Sequence, residues 1–450
     1  MKIVVAVIFN VALLALLLPW LRQQWRWAAT GPWRMALGLG LGLRLGMGLA
    51  RYYAHQLDAV GMSSVSSAIT NDILWVDPAH AWRMLTGAIT VIPTSAGYNA
   101  VFQNTSNTWF LIKVLVFLNL GSLTLDWVNT LYLSLFAFVG CWMLARKLAQ
   151  VLTNTPAAAG VIAFLLWPSI CFWATGISKE AVLLGSGAWL TARVVGWLYE
   201  APAGRLTTSR GAVLWWLGTL VLAYVHFQTR YFFAIPLLGA LGGMMLCHWL
   251  SQYRLTRARG VQVLALASVL GAVVWLAPQV SVAFRMNKFT NQVVRVYSFE
   301  AAHTVGRPHF EYPNLRPTVE SIAAHAPQAV LNALTRPWLG ETRQPLYLAV
   351  SLEDAAVLLL AVLAVWAALH GRQGQLPFGL VVGLSLFCLT LAFLIGLTTP
   401  NLGSLNRYRS ELLPFLLLLL LQNDYAAAAL RWLRLHRPAA GLLPQPPSNA

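Results

Sequence analysis

The sequence has few charged residues, and acidic residues are the scarcest of all. Only 14 of its 450 residues are Asp or Glu, against 31 Lys and Arg, and charged residues make up 10% of the chain. Hydrophobic residues make up 58%. A soluble chain of this size has no interior large enough to hold so much apolar surface. The composition therefore excludes a soluble protein and predicts a membrane protein.

Metal-ligand and disulfide spacings are also missing. Each of the four cysteines lies inside an apolar run, far in sequence from the others: Cys141, Cys171, Cys247 and Cys388. We expect them to be small buried side chains. The histidines of the polar stretch 285–345 show neither i, i+4 nor His-x-His spacing. The sequence therefore predicts no metal site, although it does not decide whether a divalent metal is required, and it indicates no other cofactor.

The net charge of +17 does not point to nucleic acid. The basic residues occur in short clusters between apolar runs, and no basic domain large enough to grip a duplex is present. We therefore expect membrane lipids, and no nucleic acid, around this chain.

Apolar runs recur along the whole chain and predict an all-α, polytopic helical membrane protein with about 11–12 membrane segments. The predicted segments are 3–20, 35–50, 128–145, 157–175, 181–198, 212–227, 231–249, 261–284, 346–369, 378–397 and 411–423, with 108–125 less clear. The first segment lacks a small-residue cleavage site, so we expect a retained anchor and not a signal peptide.

Short basic clusters follow every second segment, as expected of cytoplasmic loops. The clusters are Arg22, Arg26 and Arg34; Arg146 and Lys147; Arg205 and Arg210; Arg254, Arg257 and Arg259; Arg372; and Arg431, Arg434 and Arg437. The alternation holds if 108–125 makes no net crossing. It then places the N-terminus outside and the C-terminus in the cytoplasm.

This topology leaves two long connections on the outer face, 51–127 and 285–345. Long loops in compact membrane proteins are usually functional. The first contains a stretch, Asn99–Leu125, that we predict to be helical and to lie in or dip into the membrane interface. The membrane domain then spans 1–437, and the proline-rich tail 438–450 is predicted to be a disordered cytoplasmic segment.

The stretch Trp167–Glu180 is the most informative in the chain. Two aromatic residues and a Gly-Ile-Ser turn precede Lys179 and Glu180, and apolar residues resume immediately afterwards. Charges at the mouth of a membrane hairpin are costly unless they meet water, a headgroup or a polar ligand. Two interpretations remain open: a snorkelling lysine beside a glutamate that complements the helix dipole, or contacts to a lipid-linked phosphate.

Asp58 is the main candidate for a general base. It follows the second apolar segment by about two helical turns, near headgroup depth, and lies close to His55. A partly desolvated carboxylate there is suited to deprotonating a hydroxyl; the alternative is a hydrated loop aspartate. Asp72 and Asp77 are secondary candidates, because Asn-Asp and Asp-Pro pairs are also ordinary turn and N-cap sequences.

Three arginines lie at predicted outer ends of apolar segments, against the positive-inside pattern. Arg407 and Arg409 occur in Asn-Arg-Tyr-Arg-Ser-Glu, and Arg230 is flanked by Thr and Tyr. Their position favours a bound anion, and the guanidinium fork suits a pair of phosphate oxygens. The alternative is that they snorkel to the interface.

The turn Arg336-Pro-Trp-Leu-Gly-Glu341 precedes the ninth apolar segment. Trp338 is suited to stack on the apolar face of a sugar, with Arg336 and Glu341 at the rim of a pocket. An aromatic anchor at the membrane interface is the equal alternative.

In this order, these features resemble the multi-pass glycosyltransferases of the C superfamily. More closely, they resemble bacterial relatives of the family 39 glycosyltransferases, the protein O-mannosyltransferase type. The shared features are an Asp in the first outer loop, Phe-Trp-x-x-Gly-Ile-x-Lys-Glu, Arg-Pro-Trp-x-x-Glu, and Arg-Tyr-Arg before a Leu-Leu-Pro-Phe-Leu helix. The resemblance covers roughly residues 50–420. Here Ala59 follows Asp58, where that superfamily commonly has a second acidic residue.

The resemblance implies an inverting transfer of a sugar from a polyprenyl-phosphate donor to an acceptor outside the bacterial inner membrane, in cell-envelope polysaccharide or glycan synthesis. The acidic catalytic residue of that superfamily maps to Asp58. With such a donor, Arg407 and Arg409, together with Lys179 or Arg230, would hold the lipid phosphate. The alternatives are a flippase or other transporter, or a polymerase or ligase, for lipid-linked saccharide. Charged residues within apolar segments favour a transporter, and four stand out: Arg44, Arg193, Glu353 and Asp354.

Overall fold

The computed structural model describes residues 1–28, 31–54, 57–93, 99–200, 209–251, 258–280, 286–304 and 306–433. Over these ranges the chain is helical, apart from one two-stranded antiparallel sheet. Seven described helices are long and apolar enough to cross a membrane, and a bent pair near the C-terminus adds an eighth if it counts as one span. The predicted class, an all-α polytopic helical membrane protein, is confirmed. The predicted tail 438–450 lies outside the described residues.

The described residues form 19 α-helices, numbered here in chain order. The first ten are α1 Lys2–Trp27, α2 Gly31–Tyr53, α3 Leu57–Ala68, α4 Pro78–Thr86, α5 Asn107–Ser122, α6 Asp126–Val151, α7 Ala157–Val161, α8 Pro168–Trp173, α9 Lys179–Tyr199 and α10 Ser209–Thr229. The others are α11 Tyr231–Ser251, α12 Arg259–Val280, α13 Met286–Ala302, α14 Val319–Thr335, α15 Pro345–Leu369, α16 Phe378–Thr398, α17 Leu402–Arg409, α18 Leu413–Leu420 and α19 Asp424–Leu430.

Two predicted segments differ from simple spans, and their sequences explain why. The segment 157–175 is divided into α7, a π-helical turn over Ile162–Leu166, and α8, which begins at Pro168. Proline cannot donate the backbone hydrogen bond that would continue the helix. The segment 35–50 lies within α2, where the buried Arg44 and several glycines lower the hydropathy. The candidate spans are therefore fewer than the apolar runs.

Close packing of α6 against α9 forms the centre of the bundle. A Cβ added at Gly140 of α6 would overlap the carbonyl oxygen of Gly185 of α9. Glycine at both positions therefore lets the two backbones touch, as small residues do at helix interfaces in membranes. This contact fixes α9, whose first turn carries Lys179 and Glu180.

The first long connection contains a β-hairpin that the sequence analysis missed. Strand β1, Ile89–Pro93, pairs with β2, Asn99–Gln103, with Ile89 opposite Gln103. The predicted helix over Asn99–Leu125 is therefore wrong at its start, and the helix is α5, which begins after the N-cap Ser106. Exposed Val101 and Gln103 flank the partly buried Phe102, as expected of a strand. The stretch is too short to stand out in the sequence beside the apolar run that follows.

The second long connection contains α13 and α14 and is fastened to the segment before α17. The amide of Phe310 donates to the carbonyl of Pro400 over 3.1 Å, and the amide of Leu402 donates to the carbonyl of Pro308 over 3.1 Å. A β-bridge between His309 and Asn401 lies between them. The loop is thus tied to the element that carries the candidate arginines.

The predicted orientation is testable with two single cysteines. With the four buried cysteines replaced by alanine, Val319→Cys in the second connection should react with a membrane-impermeant thiol reagent on intact spheroplasts. Ser448→Cys in the tail should react only after permeabilisation, because the positive-inside pattern places it in the cytoplasm. Labelling of the tail but not of residue 319 on intact cells would reverse the orientation.

Candidate functional site

The site is built around α17, a short helix that brings two arginines to one end of the bundle. The Asn401 side chain caps it, accepting hydrogen bonds from the amides of Gly403 and Ser404 over 2.8 and 3.1 Å. Such caps satisfy otherwise free amides in the first turn. Arg407 and Arg409 lie in its last turn. Their side chains lead to two different groups of partners.

Arg407 joins two carboxylates from distant parts of the chain. Its Nη1 donates to Oδ2 of Asp58 over 2.6 Å, and its Nε lies 3.0 Å from Oε2 of Glu180. The Asp58 side chain is 68% exposed, whereas that of Glu180 is fully buried. One arginine therefore connects a buried anion to an accessible one. The structure thus brings together Asp58, Arg407 and Glu180, three residues that the sequence singles out separately.

Arg230 completes the surroundings of Glu180. Its Nη2 lies 3.3 Å from Oε1 of Glu180, and its guanidinium stacks on the rings of Tyr408 and Phe233 at 4.0 and 4.8 Å. Neither Glu180 oxygen accepts a directed hydrogen bond from a described residue. The two arginines therefore hold Glu180 by charge, and the aromatic faces hold Arg230 in place.

Lys179 lies next to this group, which we call the charged cluster: Asp58, Lys179, Glu180, Arg230 and Arg407. The turn before it needs Gly176 at φ +68, and the Ser178 side chain caps α9. The Lys179 ammonium donates to the Thr108 hydroxyl over 2.8 Å. Among the described residues no carboxylate lies within 4.0 Å of it. Lys179 thus adds a positive charge that no partner carboxylate neutralises.

Charge in the cluster is set by burial and by the neighbouring groups. Burial disfavours the charged form of Arg407, but Glu180, Tyr408 and Asp58 outweigh it and raise the pKa of Arg407. Burial, and then the proximity of Glu180, raises the pKa of Glu411 well above its usual range, against the opposing effects of Arg230 and Arg44. These surroundings favour the neutral form of the Glu411 carboxyl. Glu180 is the buried carboxylate that lies within ion-pair distance of both Arg230 and Arg407.

Arg409 belongs to a separate, buried group. Its Nη2 lies 2.7 Å from Oδ1 of Asp354, with 3% of each side chain exposed. It also donates to the carbonyl of Arg336 over 3.0 Å and to Oδ1 of Asn406 over 3.1 Å. Arg409 thus ties α17 to α15 and to the end of α14. The phosphate contact expected of Arg409 stays a prediction, and the structure adds a positioning role.

The predicted Arg-Pro-Trp-Leu-Gly-Glu turn is closed by its own side chains. Arg336 forms an ion pair with Glu341 at 2.9 Å and lies over the Trp338 ring at 4.7 Å. The Trp338 amide donates to Glu341 over 2.8 Å, and the indole is 54% exposed. The hydrogen bond from Arg409 to Arg336 joins this turn to α17. An accessible indole is therefore fixed beside the arginine helix.

The secondary acidic candidates do not join the charged cluster. Asp77 caps α4, accepting from the His80 amide over 2.9 Å, which is the ordinary role of an Asp-Pro pair. Asp72 is exposed in the π-helical segment Ile69–Leu74 and forms no ion pair within the described ranges. His55, expected beside Asp58, lies outside the described residues.

Two cavities lie close to the charged cluster. One, of about 260 Å³, lies among α11, α13, α16 and α17, and its lining includes Arg230, Phe233, Phe289, Glu300 and Tyr408. Burial, and then Asp58, raises the pKa of Glu300. The other, of about 210 Å³, lies between α2, α3 and α6, and its lining includes Arg51, Tyr52, Asp126, Thr130 and Thr175. A pocket with several aromatic rings and a second pocket that contains Arg51 and Asp126 therefore lie near the charged cluster.

Sequence reasoning did not assign four residues that the structure adds: Arg51, Glu300, Tyr408 and Glu411. Arg51 is buried and donates to the carbonyl of Thr175 over 2.7 Å. Arg51 lies at the end of an apolar run and Glu411 at the start of one, and ionisable residues there are functional candidates by default. This position was the only feature of the sequence that marked Arg51 and Glu411. Glu300 and Tyr408 carry no comparable signal.

The arrangement can bind an anion and accept a proton at the same place. Lys179 and the two arginines supply positive charge, and Asp58 supplies an exposed carboxylate. Within the described ranges no three His, Cys, Asp or Glu side chains are grouped to hold a metal ion. Comparisons with protein family models, curated proteins and solved structures find no match to this chain.

Proposed function

We propose that this chain is an integral membrane glycosyltransferase of the bacterial inner membrane. It transfers a sugar from a polyprenyl-phosphate donor to a glycan acceptor outside the cytoplasm, with its N-terminus outside and its C-terminus inside. The observation that carries the proposal is the charged cluster. An exposed carboxylate is held by an arginine beside further cations, at one end of a membrane bundle.

Asp58 acts as the general base in this proposal. Its carboxylate takes the proton of the acceptor hydroxyl as that oxygen bonds to the anomeric carbon, and the bond from that carbon to the phosphate oxygen breaks. A single displacement inverts the anomeric centre. The 2.6 Å bond to Arg407 orients the carboxylate, and its exposure leaves the second oxygen accessible.

The cations stabilise the leaving phosphate. Negative charge develops on that group as the glycosidic bond breaks, and fixed positive charges at that point lower the barrier. Lys179 is the most available ligand, because Arg230 and Arg407 already pair with Glu180. The aromatic cavity beside Arg230 suits the first isoprene units, and the exposed Trp338 indole suits an apolar sugar face.

Lys179→Met should weaken binding of a polyprenyl monophosphate by about 1.5–3 kcal/mol, the usual worth of a hydrogen bond to a charged group. Methionine keeps most of the volume, and no buried carboxylate loses a partner. Binding is measured by titrating the lipid into purified protein and following retained lipid by native mass spectrometry.

Lys113→Met is the matched control. Like Lys179, Lys113 is a partly buried lysine with an uncharged partner, Asn104, but it lies in α5 of the first connection. Its removal should leave lipid binding unchanged. Equal lipid affinity in the parent and in Lys179→Met would mean that Lys179 does not bind the phosphate and only extends to the membrane interface. If the parent protein moves lipid-linked saccharide across the membrane of vesicles without transferring sugar, the proposed enzyme is instead a flippase. If it extends or ligates preformed saccharide chains, it is a polymerase or ligase.

A further inference from the structure

A third cavity, with basic and aromatic walls, lies at the opposite end of α9 from the charged cluster. It has a volume of about 450 Å³ and lies between α6, α9 and α10. Its lining includes Lys147, Trp189, Arg193, Trp197, Trp215 and Trp216. Arg193 lies about 21 Å along the helix axis from Lys179. The two sites are therefore separate.

The basic groups of this cavity lie inside the ends of their helices. Arg193 is about 9 Å from the end of α9 at Tyr199, and Lys147 is about 6 Å from the end of α6 at Val151, at 1.5 Å per residue. Helix α9 has 21 residues, about 31 Å in length, so Arg193 lies within the acyl-chain region when α9 spans a hydrocarbon core of roughly 30 Å. A guanidinium there is costly unless it meets a headgroup or another polar group.

Arg193 is held in the cavity and does not extend out of the membrane. Its Nε donates to the Thr219 hydroxyl over 2.8 Å, its Nη2 donates to the Trp215 carbonyl, and its guanidinium stacks on the Trp215 ring at 5.0 Å. Gly218 lets the α10 backbone approach it, since a Cβ there would lie 3.4 Å from Nη2. Nη1 takes part in neither hydrogen bond.

The second cation is Lys147, which forms an ion pair with Glu200 at 3.2 Å. Both side chains are partly exposed, at 23% and 37%. With two basic groups and one acidic group, the cavity keeps one net positive charge beside indole rings. Apolar side chains of α10 continue from the cavity along its outer face, where Val213, Leu217 and Leu220 are all exposed.

We propose that this cavity binds the headgroup of an anionic phospholipid. The phosphodiester contacts Arg193 and Lys147, Glu200 accepts hydrogen bonds from headgroup hydroxyls, and the acyl chains lie along α10. Basic pockets between membrane helices are suited to such headgroups. The indole walls and the apolar face of α10 favour a lipid over a soluble anion. The inference does not depend on the proposed function.

The test compares lipid retention by the delipidated, purified full chain in native mass spectrometry. Phosphatidylglycerol should be retained over phosphatidylcholine with the same acyl chains, and Arg193→Ala should weaken its retention about tenfold or more, because a charged contact is lost. Trp216→Ala removes an indole that is 44% exposed and should also weaken retention. If Arg193→Ala fails to fold, Trp216→Ala still tests whether the cavity binds the lipid.

Arg210→Ala is the matched control. Arg210 is exposed in the first turn of α10 and does not line the cavity, so phosphatidylglycerol retention should be unchanged. The proposal is overturned if both Arg193→Ala and Trp216→Ala retain phosphatidylglycerol as the parent does. It is also overturned if soluble glycerol phosphate displaces the lipid at similar concentration, since the site would then bind a soluble anion.

Discussion

Asp58→Asn should reduce sugar transfer by about 10²–10⁴-fold, the usual contribution of a positioned general base. Asparagine keeps the size of the side chain and can still accept from Arg407, but it cannot take the acceptor's proton. Folding should be nearly unaffected, because the Asp58 side chain is 68% exposed and exposed ion pairs contribute about 0–1 kcal/mol. Transfer is measured in membranes with a radiolabelled polyprenyl-phosphate hexose.

Two aspartates of the same connection serve as controls. Asp72→Asn and Asp77→Asn should transfer sugar at close to the parental rate, because neither side chain lies in the charged cluster, and asparagine also caps a helix well at position 77. A parental rate in Asp58→Asn would place the base elsewhere, with Glu300 the next carboxylate to test because it lines the same cavity as Arg230.

Glu180→Ala should destabilise the folded protein by about 3–5 kcal/mol, the usual cost of removing one partner of a buried ion pair. Glu180 is fully buried, and its loss would leave Arg230 without its carboxylate partner and Arg407 with only the exposed Asp58 as a counter-ion. We expect a large fall in the midpoint of denaturant unfolding in detergent. We also expect Asp58 to lose its orientation, because Arg407 is held between the two carboxylates.

Glu311→Ala is the corresponding control. Its carboxylate is 75% exposed, and among the described residues its ion-pair partner is the His309 imidazole, at 3.3 Å, so stability should change by less than about 1 kcal/mol. If Glu180→Ala unfolds at the same denaturant concentration as Glu311→Ala, the pairs around Glu180 do not stabilise the bundle. Helix packing alone would then set the geometry of the charged cluster.

Much of the site was predictable residue by residue, because charge in an apolar sequence is rare. With only 14 acidic residues, Asp58 and Glu180 could be found by enumeration, and Lys179, Arg230 and Arg407 stand out at the ends of apolar runs. Their pairing could not be predicted. Asp58 and Arg407 are 349 positions apart, and no local pattern decides which carboxylate an arginine meets across a bundle.

The partners of Arg407 and Arg409 could not be predicted from the sequence either, although both residues lie in one helix. The sequence presents them as equivalent, two residues apart before a leucine run. Residues two apart on a helix point in different directions, so Arg407 meets Asp58 and Glu180 whereas Arg409 is buried against Asp354. The roles of the two arginines thus depend on which helices pack on each face of α17.

By itself, the sequence determined the helical membrane class, because the apolar runs cannot be hidden in any soluble fold. It also determined where charge interrupts those runs, since so few residues carry it. Only the tertiary structure showed that the run 157–175 is divided into α7, a π-helical turn and α8, because a proline within an apolar run can either kink a helix or end it. It also decided that five charged residues share one cluster. Buried charges must find partners, and the contact between α6 and α9 at Gly140 and Gly185 helps to set which partners are within reach.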